Sequence, residues 1–286
     1  MTSPQRAREF GPLQREVSVI GQGTWDIDES RQRSDAIAAL RRGIDLGMTH
    51  IDTAEYYGWG AAEKMIAQAI EGRREEVFLV SKVVPQNASK KGTIAACERS
   101  LQSLRTGYLD CYLLHWRGQY PLEETFSAFE ELRQEGKILS WGVSNFDEKD
   151  LDEALSIAGE GKIACNQVLY HLRERAIEHA VLPWCAEHGV ALVAYSPFGH
   201  DQFPDPTTPQ GRALQSVANA HYATPRQIAL RFLAREPNVF PIPKASRVPH
   251  VEENGKALEI ELTKSDLELI DTVFPRGRKP RSLPMI

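Results

Sequence analysis

Short apolar runs recur along the chain, and each ends in polar residues. His50-Ile51 runs into Asp52, with Tyr57-Gly58 five residues on. Val-Phe-Leu-Val runs into Ser81-Lys82, Leu109 to Leu114 into His115, and Trp141-Gly-Val into Ser144-Asn145. Cys165 to Tyr170 carries Gln167, Ala-Leu-Val-Ala194 runs into Tyr195-Ser196, and Val-Phe-Pro-Ile-Pro243 into Lys244. Between these runs, apolar residues recur near the helical period. Ser34 to Leu46 is one such stretch, with Ser34 as N-cap and Gly47 as stop. Further helices are predicted over Ala61 to Ile70, Ser89 to Leu104, Pro121 to Glu135, Glu148 to Ile157, Ile177 to His188, Gln210 to Ala220 and Pro225 to Arg235. Thr263 to Val273 closes the series, with Thr263 and Asp266 placed for a capping box.

The alternation amounts to eight strand–helix units, counting Gly21 to Trp25 as the first strand. Parallel strands whose ends collect polar residues suit an α/β protein folded as a (β/α)8 barrel, a TIM barrel, with its site at one rim. A doubly wound open sheet is the rival, but it usually reuses fewer units. Before the first unit, Glu9 to Leu13 and Glu16 to Ile20 predict a β-hairpin turning at Gly11-Pro12 and plugging the barrel floor. The loop from Gly199 to Gly211 holds three prolines and is long enough to serve the site. Arg276 to Arg281 is a basic surface strap. One domain over 1–286 is expected, since no linker or low-complexity segment interrupts the chain.

A length of 286 residues buries a sizeable core without staples. The net charge of −5 argues against a large nucleic-acid footprint. The four cysteines suit neither zinc nor a disulfide framework, which points to a reducing compartment. No apolar run approaches a membrane span and no leader is evident, so a cytoplasmic protein without membrane or nucleic-acid partners is expected.

Asp52, Tyr57, Lys82 and His115 form the chemical core of the pattern. A tyrosine is a poor acid near neutrality, with a usual pKa of ~10. An adjacent ammonium pulls that value down, and a carboxylate keeps the lysine charged and oriented. Such a tyrosine can protonate a carbonyl oxygen as hydride reaches the carbon, while a histidine holds the same oxygen. No metal is required. Taken singly, Asp52 suits a helix cap, Tyr57 a packed aromatic, Lys82 a solvated strand end and His115 a core histidine. Their common placement at strand ends favours a shared site.

These motifs resemble the aldo-keto reductase superfamily. The resemblance rests on Asp52-Thr-Ala-Glu-Tyr-Tyr57-Gly, Ser81-Lys82, Leu-Leu-His115-Trp, Trp-Gly-Val-Ser144-Asn145-Phe, Asn166-Gln167, Tyr195-Ser-Pro, and Ile-Pro-Lys244 with Glu253-Asn254. They occur in the family's order from about Phe10 to Phe274. The resemblance implies the same barrel and NADPH-dependent reduction of aldehydes and ketones, by a monomer with no obligate protein partner. It makes Tyr57 the proton donor, chosen over Tyr56 because the family places its tyrosine immediately before glycine. Asp52 and Lys82 become the pair that tunes it, and His115 orients the carbonyl.

The same resemblance assigns Ser144, Asn145 and Gln167 to the nicotinamide carboxamide and Tyr195 to the face beneath its ring. Asn145 taken alone would better suit a cap for the helix at Glu148. Gly23, Thr24 and Trp25, and Ser196, Pro197 and Phe198, are assigned to the same cofactor cleft. Lys244, Ser246 and Arg247 suit the 2′-phosphate of NADPH, with Glu253 and Asn254 as adenine contacts. His250 stands where many members carry an arginine, so NADH is expected as a weaker alternative. Trp25, Tyr56 and Trp116 should wall an open, shallow substrate pocket, with Trp59 and Phe198 as weaker candidates. Bacterial members alike around Gln167 to Leu172 and Leu182 to Cys185 are associated with methylglyoxal and diketogluconate reduction.

Two other functions fit the same strand ends. An NADPH-binding sensor or regulatory subunit would bind cofactor with little turnover. A barrel aldolase would use Lys82 as a Schiff-base nucleophile, which a charged Lys82 beside Asp52 disfavours.

Overall fold

The computed structural model describes residues 5–30 and 32–286. The single unit expected over 1–286 includes residues 1–4 and 31, which lie outside the described residues.

The chain opens with an antiparallel hairpin of β1 (Ala7–Phe10) and β2 (Leu13–Ser18). At its turn Gly11 has φ +57, and a Cβ there would lie 2.1 Å from the Ala164 carbonyl oxygen. The hairpin therefore meets the sheet backbone to backbone, which only glycine permits. Phe10 is fully buried against Phe78 and Phe240, with ring centroids 5.0 Å away in each case. The hairpin plugs the floor as expected.

Among the described residues, eight parallel strands follow in chain order. They are β3 (Gln22–Gly23), β4 (His50–Asp52), β5 (Phe78–Val83), β6 (Leu109–Leu114), β7 (Ile138–Ser144), β8 (Ile163–Leu169), β9 (Ala191–Tyr195) and β10 (Val239–Pro241). The Gly21 and Gly23 amides donate to the Pro241 and Pro243 carbonyls at 2.9 and 3.1 Å, joining the first barrel strand to the last. The (β/α)8 barrel with an N-terminal hairpin is thus the observed fold.

Side chains alternate across a strand, so every second residue faces the barrel interior. On β5 the inward row is Phe78, Val80 and then Lys82; on β6 it is Cys111, Leu113 and then His115. On β8 and β9 the same row runs from Cys165 to Gln167 and from Val193 to Tyr195. Below the rim these positions are apolar and pack with the hairpin. One step higher they turn polar. The intervening residues, such as Leu79, Tyr112, Leu114 and Leu192, pack outward under the helices. Period two thus places the polar strand ends around one opening.

The helices are α1 (Arg33–Asp45), α2 (Ala61–Ala69), α3 (Lys90–Leu104), α4 (Leu122–Gln134), α5 (Glu148–Ala158), α6 (Val181–Glu187), α7 (Pro209–Ala220), α8 (Pro225–Leu233), α9 (Val248–Gly255) and α10 (Lys264–Val273). Three depart from expectation. α1 starts two residues early, with Gln32 in place of Ser34 as N-cap and no side-chain cap, so Ser34 lies inside the first turn. The favourable charge at that end comes from Asp35. The helix predicted from Ile177 breaks at Ala180, with a 3₁₀ turn over Ala176–His179 before α6. Pro183 lacks the N–H that a continuous helix would bond to His179, so it is tolerated only in a first turn. α9 was not predicted; Pro249 at its start and Gly255 at its end are the signals for it.

The capping box at α10 forms as expected, with Thr263 accepting from the Asp266 amide and Asp266 accepting from that of Thr263. Thr263→Ala should lower stability by about 1 kcal/mol, visible as a shifted urea midpoint with an unchanged slope. An unchanged midpoint would mean that the cap contributes nothing. The four cysteines are buried and free. Among the described residues, no helix is long and apolar enough to cross a membrane and no group of three or more His, Cys, Asp or Glu side chains is placed to hold a metal ion.

Candidate active site

Lys82 is the centre of the rim. Its side chain is fully buried at the top of β5, a costly place for an ammonium unless it is paired and hydrogen-bonded. Its Nζ donates to Asp52 Oδ1 at 2.6 Å, to the Thr53 carbonyl at 2.8 Å and to the Tyr57 hydroxyl at 3.3 Å. All three donor positions are therefore used. Burial works against the charge, but Asp52 and the Tyr57 oxygen outweigh it and hold Lys82 above the ordinary lysine range. A lysine held so firmly charged is a poor nucleophile, which counts against Schiff-base chemistry. The other oxygen of Asp52 accepts from Gln167 Nε2 at 2.7 Å.

Tyr57 sits after β4 on a short turn, with its ring half-buried. Burial of its hydroxyl raises the pKa, and the downward pull of Lys82 only partly offsets this. The ammonium acts in the expected direction, yet the net shift is upward because desolvation of a phenolate is the larger effect. Tyr57 is thereby kept as a neutral phenol through the neutral range. Its ring meets that of His115 edge-on at 5.7 Å. Burial, and then Lys82, push His115 well below the usual histidine value. His115 Nδ1 is buried without a partner. A buried N–H left unpaired is the worse outcome, so the proton belongs on Nε2. Nε2 is then the donor of a residue that lines the pocket.

Asn145 lies just past β7 at φ 60 and ties three strand ends together. Its Nδ2 donates to the His115 carbonyl at 3.1 Å, and its Oδ1 accepts from the Tyr195 hydroxyl at 3.0 Å. The cap of α5 is instead Asp147, which accepts from the Lys149 and Asp150 amides. Ser144 donates to the Gln167 carbonyl at 2.8 Å.

Two hollows open on this rim. An inner pocket of about 270 Å³ is walled by Trp25, Tyr56, Trp116 and Tyr195, with Tyr57, His115, Ser144, Asn145 and Gln167 at its base. A cleft of about 470 Å³ adjoins it and shares Trp25, Tyr57 and Tyr195. Gly23, Thr24, Ser196, Pro197, Phe198 and Lys244 line the cleft. Trp25 stacks on His200 across its mouth, with centroids 4.7 Å apart and planes at 18°. A third hollow of about 710 Å³ lies away from these residues, between Arg175, Glu178, Arg235 and Asp271. Its arginines pair with its own carboxylates.

The structure therefore gathers the four expected catalytic residues, the three expected pocket aromatics and most of the expected cleft residues. Ser246, Arg247, His250, Glu253 and Asn254 follow Lys244 on the turn and α9, outside the residues lining the cleft. Glu253 accepts from Thr224 Oγ1, and Asn254 is buried. Asp26, Glu29 and Ser30 line the cleft without having been expected, whereas His200 and Asp201 belong to the Gly199 to Gly211 loop that was expected to serve the site. The first three follow Trp25 directly, so the loop after β3 carried a signal. Met285 and Ile286 line the inner pocket. The strap from Arg276 to Arg281 is exposed as expected, but the tail continues to the site and narrows a pocket expected to be shallow.

The chemistry of this donor set fits a nicotinamide dinucleotide. Side-chain amides and a hydroxyl stand at the base of the inner pocket, an aromatic face is shared by pocket and cleft, and an exposed ammonium lies at the cleft.

The aldo/keto reductase family model matches residues 19–274. Methylglyoxal reductase YeaE of Escherichia coli (strain K12) is 44% identical over 271 residues, covering 94% of this chain and 95% of that protein. Glyoxal reductase of Bacillus subtilis (strain 168) is 32% identical, covering 90% and 89%. The crystal structure of an aldo-keto reductase from Klebsiella pneumoniae in complex with NADPH superposes with a TM-score of 0.92 at 45% identity, covering 98% of this chain and 99% of that one. The match spans every barrel strand and carries the rim residues with it, and the chain belongs to the aldo/keto reductase family.

Proposed function

We propose that the chain reduces aldehydes and ketones to alcohols with NADPH, and that small dicarbonyls such as methylglyoxal are its natural substrate class. The observation that carries this is the fully buried Lys82, held between Asp52 and Tyr57, with Tyr57 lining a pocket walled by aromatic rings. Support for NADPH comes from the donor set and from the NADPH-bound relative of high structural similarity. The names of the two bacterial relatives support the dicarbonyl class.

Ser144, Asn145 and Gln167 would hold the carboxamide, Tyr195 would lie beneath the ring, and Lys244 with Ser246 and Arg247 would take the 2′-phosphate. Bound there, NADPH supplies a hydride to the carbonyl carbon. His115 Nε2–H donates to the carbonyl oxygen and sets its position. As charge builds on that oxygen, the Tyr57 hydroxyl transfers its proton to it, leaving a phenolate. Lys82 stabilises that phenolate across the 3.3 Å bond. Asp52 keeps Lys82 charged and oriented, and solvent restores the proton to Tyr57.

The pH dependence follows. The reactive form is the protonated phenol, so the reduction rate is lost as pH rises through the Tyr57 pKa, which lies above its usual value. His115 titrates well below its usual value and adds no step near neutrality. Measured as kcat/KM against pH, reduction should be flat through the neutral range and fall only in the alkaline limb. A step at the ordinary histidine value would contradict this.

The test of the function is consumption of NADPH with methylglyoxal, matched by formation of the hydroxy-carbonyl product and compared with NADH. Coupled turnover that is faster with NADPH supports the proposal. Tight NADPH binding without turnover across a panel of aldehydes and ketones would overturn it in favour of a sensor.

A further inference from the structure

A row of aromatic rings leads out of the inner pocket. His115 packs on Trp116 at 4.7 Å, Trp116 meets Tyr56 edge-on at 6.3 Å, and Tyr56 meets Trp59 at 5.2 Å. The row therefore begins at a residue beside the reacting oxygen and ends on open surface. Trp59 is 77% exposed and Tyr56 46%, so the two touching rings present adjoining apolar surface beside the pocket. Trp59 also has φ 50, a left-handed conformation that a bulky side chain rarely adopts. The turn imposes it from both sides. Gly58 has φ 53, and a Cβ there would lie 2.0 Å from Asp28 Oδ2, while Gly60 has φ 86. The backbone thus holds an indole on the surface in an unfavourable conformation, beside the pocket mouth. Strain of this kind persists where the surrounding structure over-determines it, and it clusters at ligand sites.

We propose that Trp59 and Tyr56 form an outer subsite that binds the second ring of a long aryl carbonyl substrate. This rests on the carbonyl-reductase function proposed above and extends its substrate class. The inner pocket, at about 270 Å³, takes the reacting carbonyl and one ring. A second ring in line with the first leaves that pocket and meets Tyr56 and Trp59. Edge-to-face and stacked contacts with these rings stabilise it without any hydrogen bond. The subsite therefore selects flat apolar tails and is indifferent to the chemistry at the carbonyl.

The experiment compares methylglyoxal with biphenylglyoxal, which share the reacting dicarbonyl and differ in the tail. NADPH is present throughout. Trp59→Ala should raise KM for biphenylglyoxal by about three- to tenfold, leave its kcat unchanged, and leave both constants for methylglyoxal unchanged. Trp59→Phe should restore part of the lost affinity. Methylglyoxal turnover also reports folding; if Trp59→Ala loses it, Trp59→Phe carries the same comparison. An equal change for both substrates, or none for biphenylglyoxal, overturns the subsite. If the wild type reduces neither compound, the function itself fails. If it reduces methylglyoxal and Trp59→Ala treats biphenylglyoxal as the wild type does, only the subsite fails.

Discussion

Tyr57→Phe should lower kcat/KM for carbonyl reduction by about 10²- to 10⁴-fold, the range expected for losing a positioned general acid. The change removes one oxygen and keeps the ring, so the edge contact with His115 at 5.7 Å survives. Lys82 keeps Asp52 and the Thr53 carbonyl as acceptors. The fold should therefore tolerate the variant, with a loss of about 1 kcal/mol for the missing hydrogen bond. NADPH affinity should change little, because the expected carboxamide and phosphate contacts lie on other strand ends. Turnover that fell less than about tenfold would move the proton donor to another group.

Lys82→Met should damage both stability and activity. Removing one partner of a buried ion pair leaves the other charge uncompensated, at a cost of about 3–5 kcal/mol. Asp52 would retain only the Gln167 amide as a side-chain donor. Turnover should fall at least about hundredfold, since Tyr57 loses the charge that stabilises its phenolate. The two effects can be separated. Asp52→Asn combined with Lys82→Met removes both charges and should recover much of the stability, without recovering turnover. Chemical denaturation and kcat/KM on the single and double variants make the comparison. Recovered turnover in the double variant would show that Lys82 acts only through folding.

The barrel was legible because its signal is periodic. Each inward row stays apolar until the rim and then changes character in one step, as from Val80 to Lys82 and from Leu113 to His115. That step is visible in one sequence, and it marks the rim residues. Helix ends were less legible. The broken helix before α6 turned on Pro183, whose apolar neighbours kept the helical pattern running through it. The cleft residues beyond Trp25 were missed because a loop has no period. Met285 and Ile286 were missed for a different reason, since tertiary folding alone brings a distant tail to the pocket. The Tyr57 shift was also beyond the sequence. The neighbouring charge could be anticipated, but the depth of burial that outweighs it could not.

The most direct test of the central claim mixes the enzyme–NADPH complex with methylglyoxal and follows cofactor fluorescence and reduced-nicotinamide absorbance together, for wild type and Tyr57→Phe. Both proteins should bind NADPH with similar affinity. The wild type should then consume one cofactor for each carbonyl reduced, and the variant should hold its cofactor unreacted over the same interval. Equal consumption by the two proteins would contradict Tyr57 as the proton donor. Binding by both with no consumption by the wild type, repeated across a panel of carbonyls, would contradict carbonyl reduction itself.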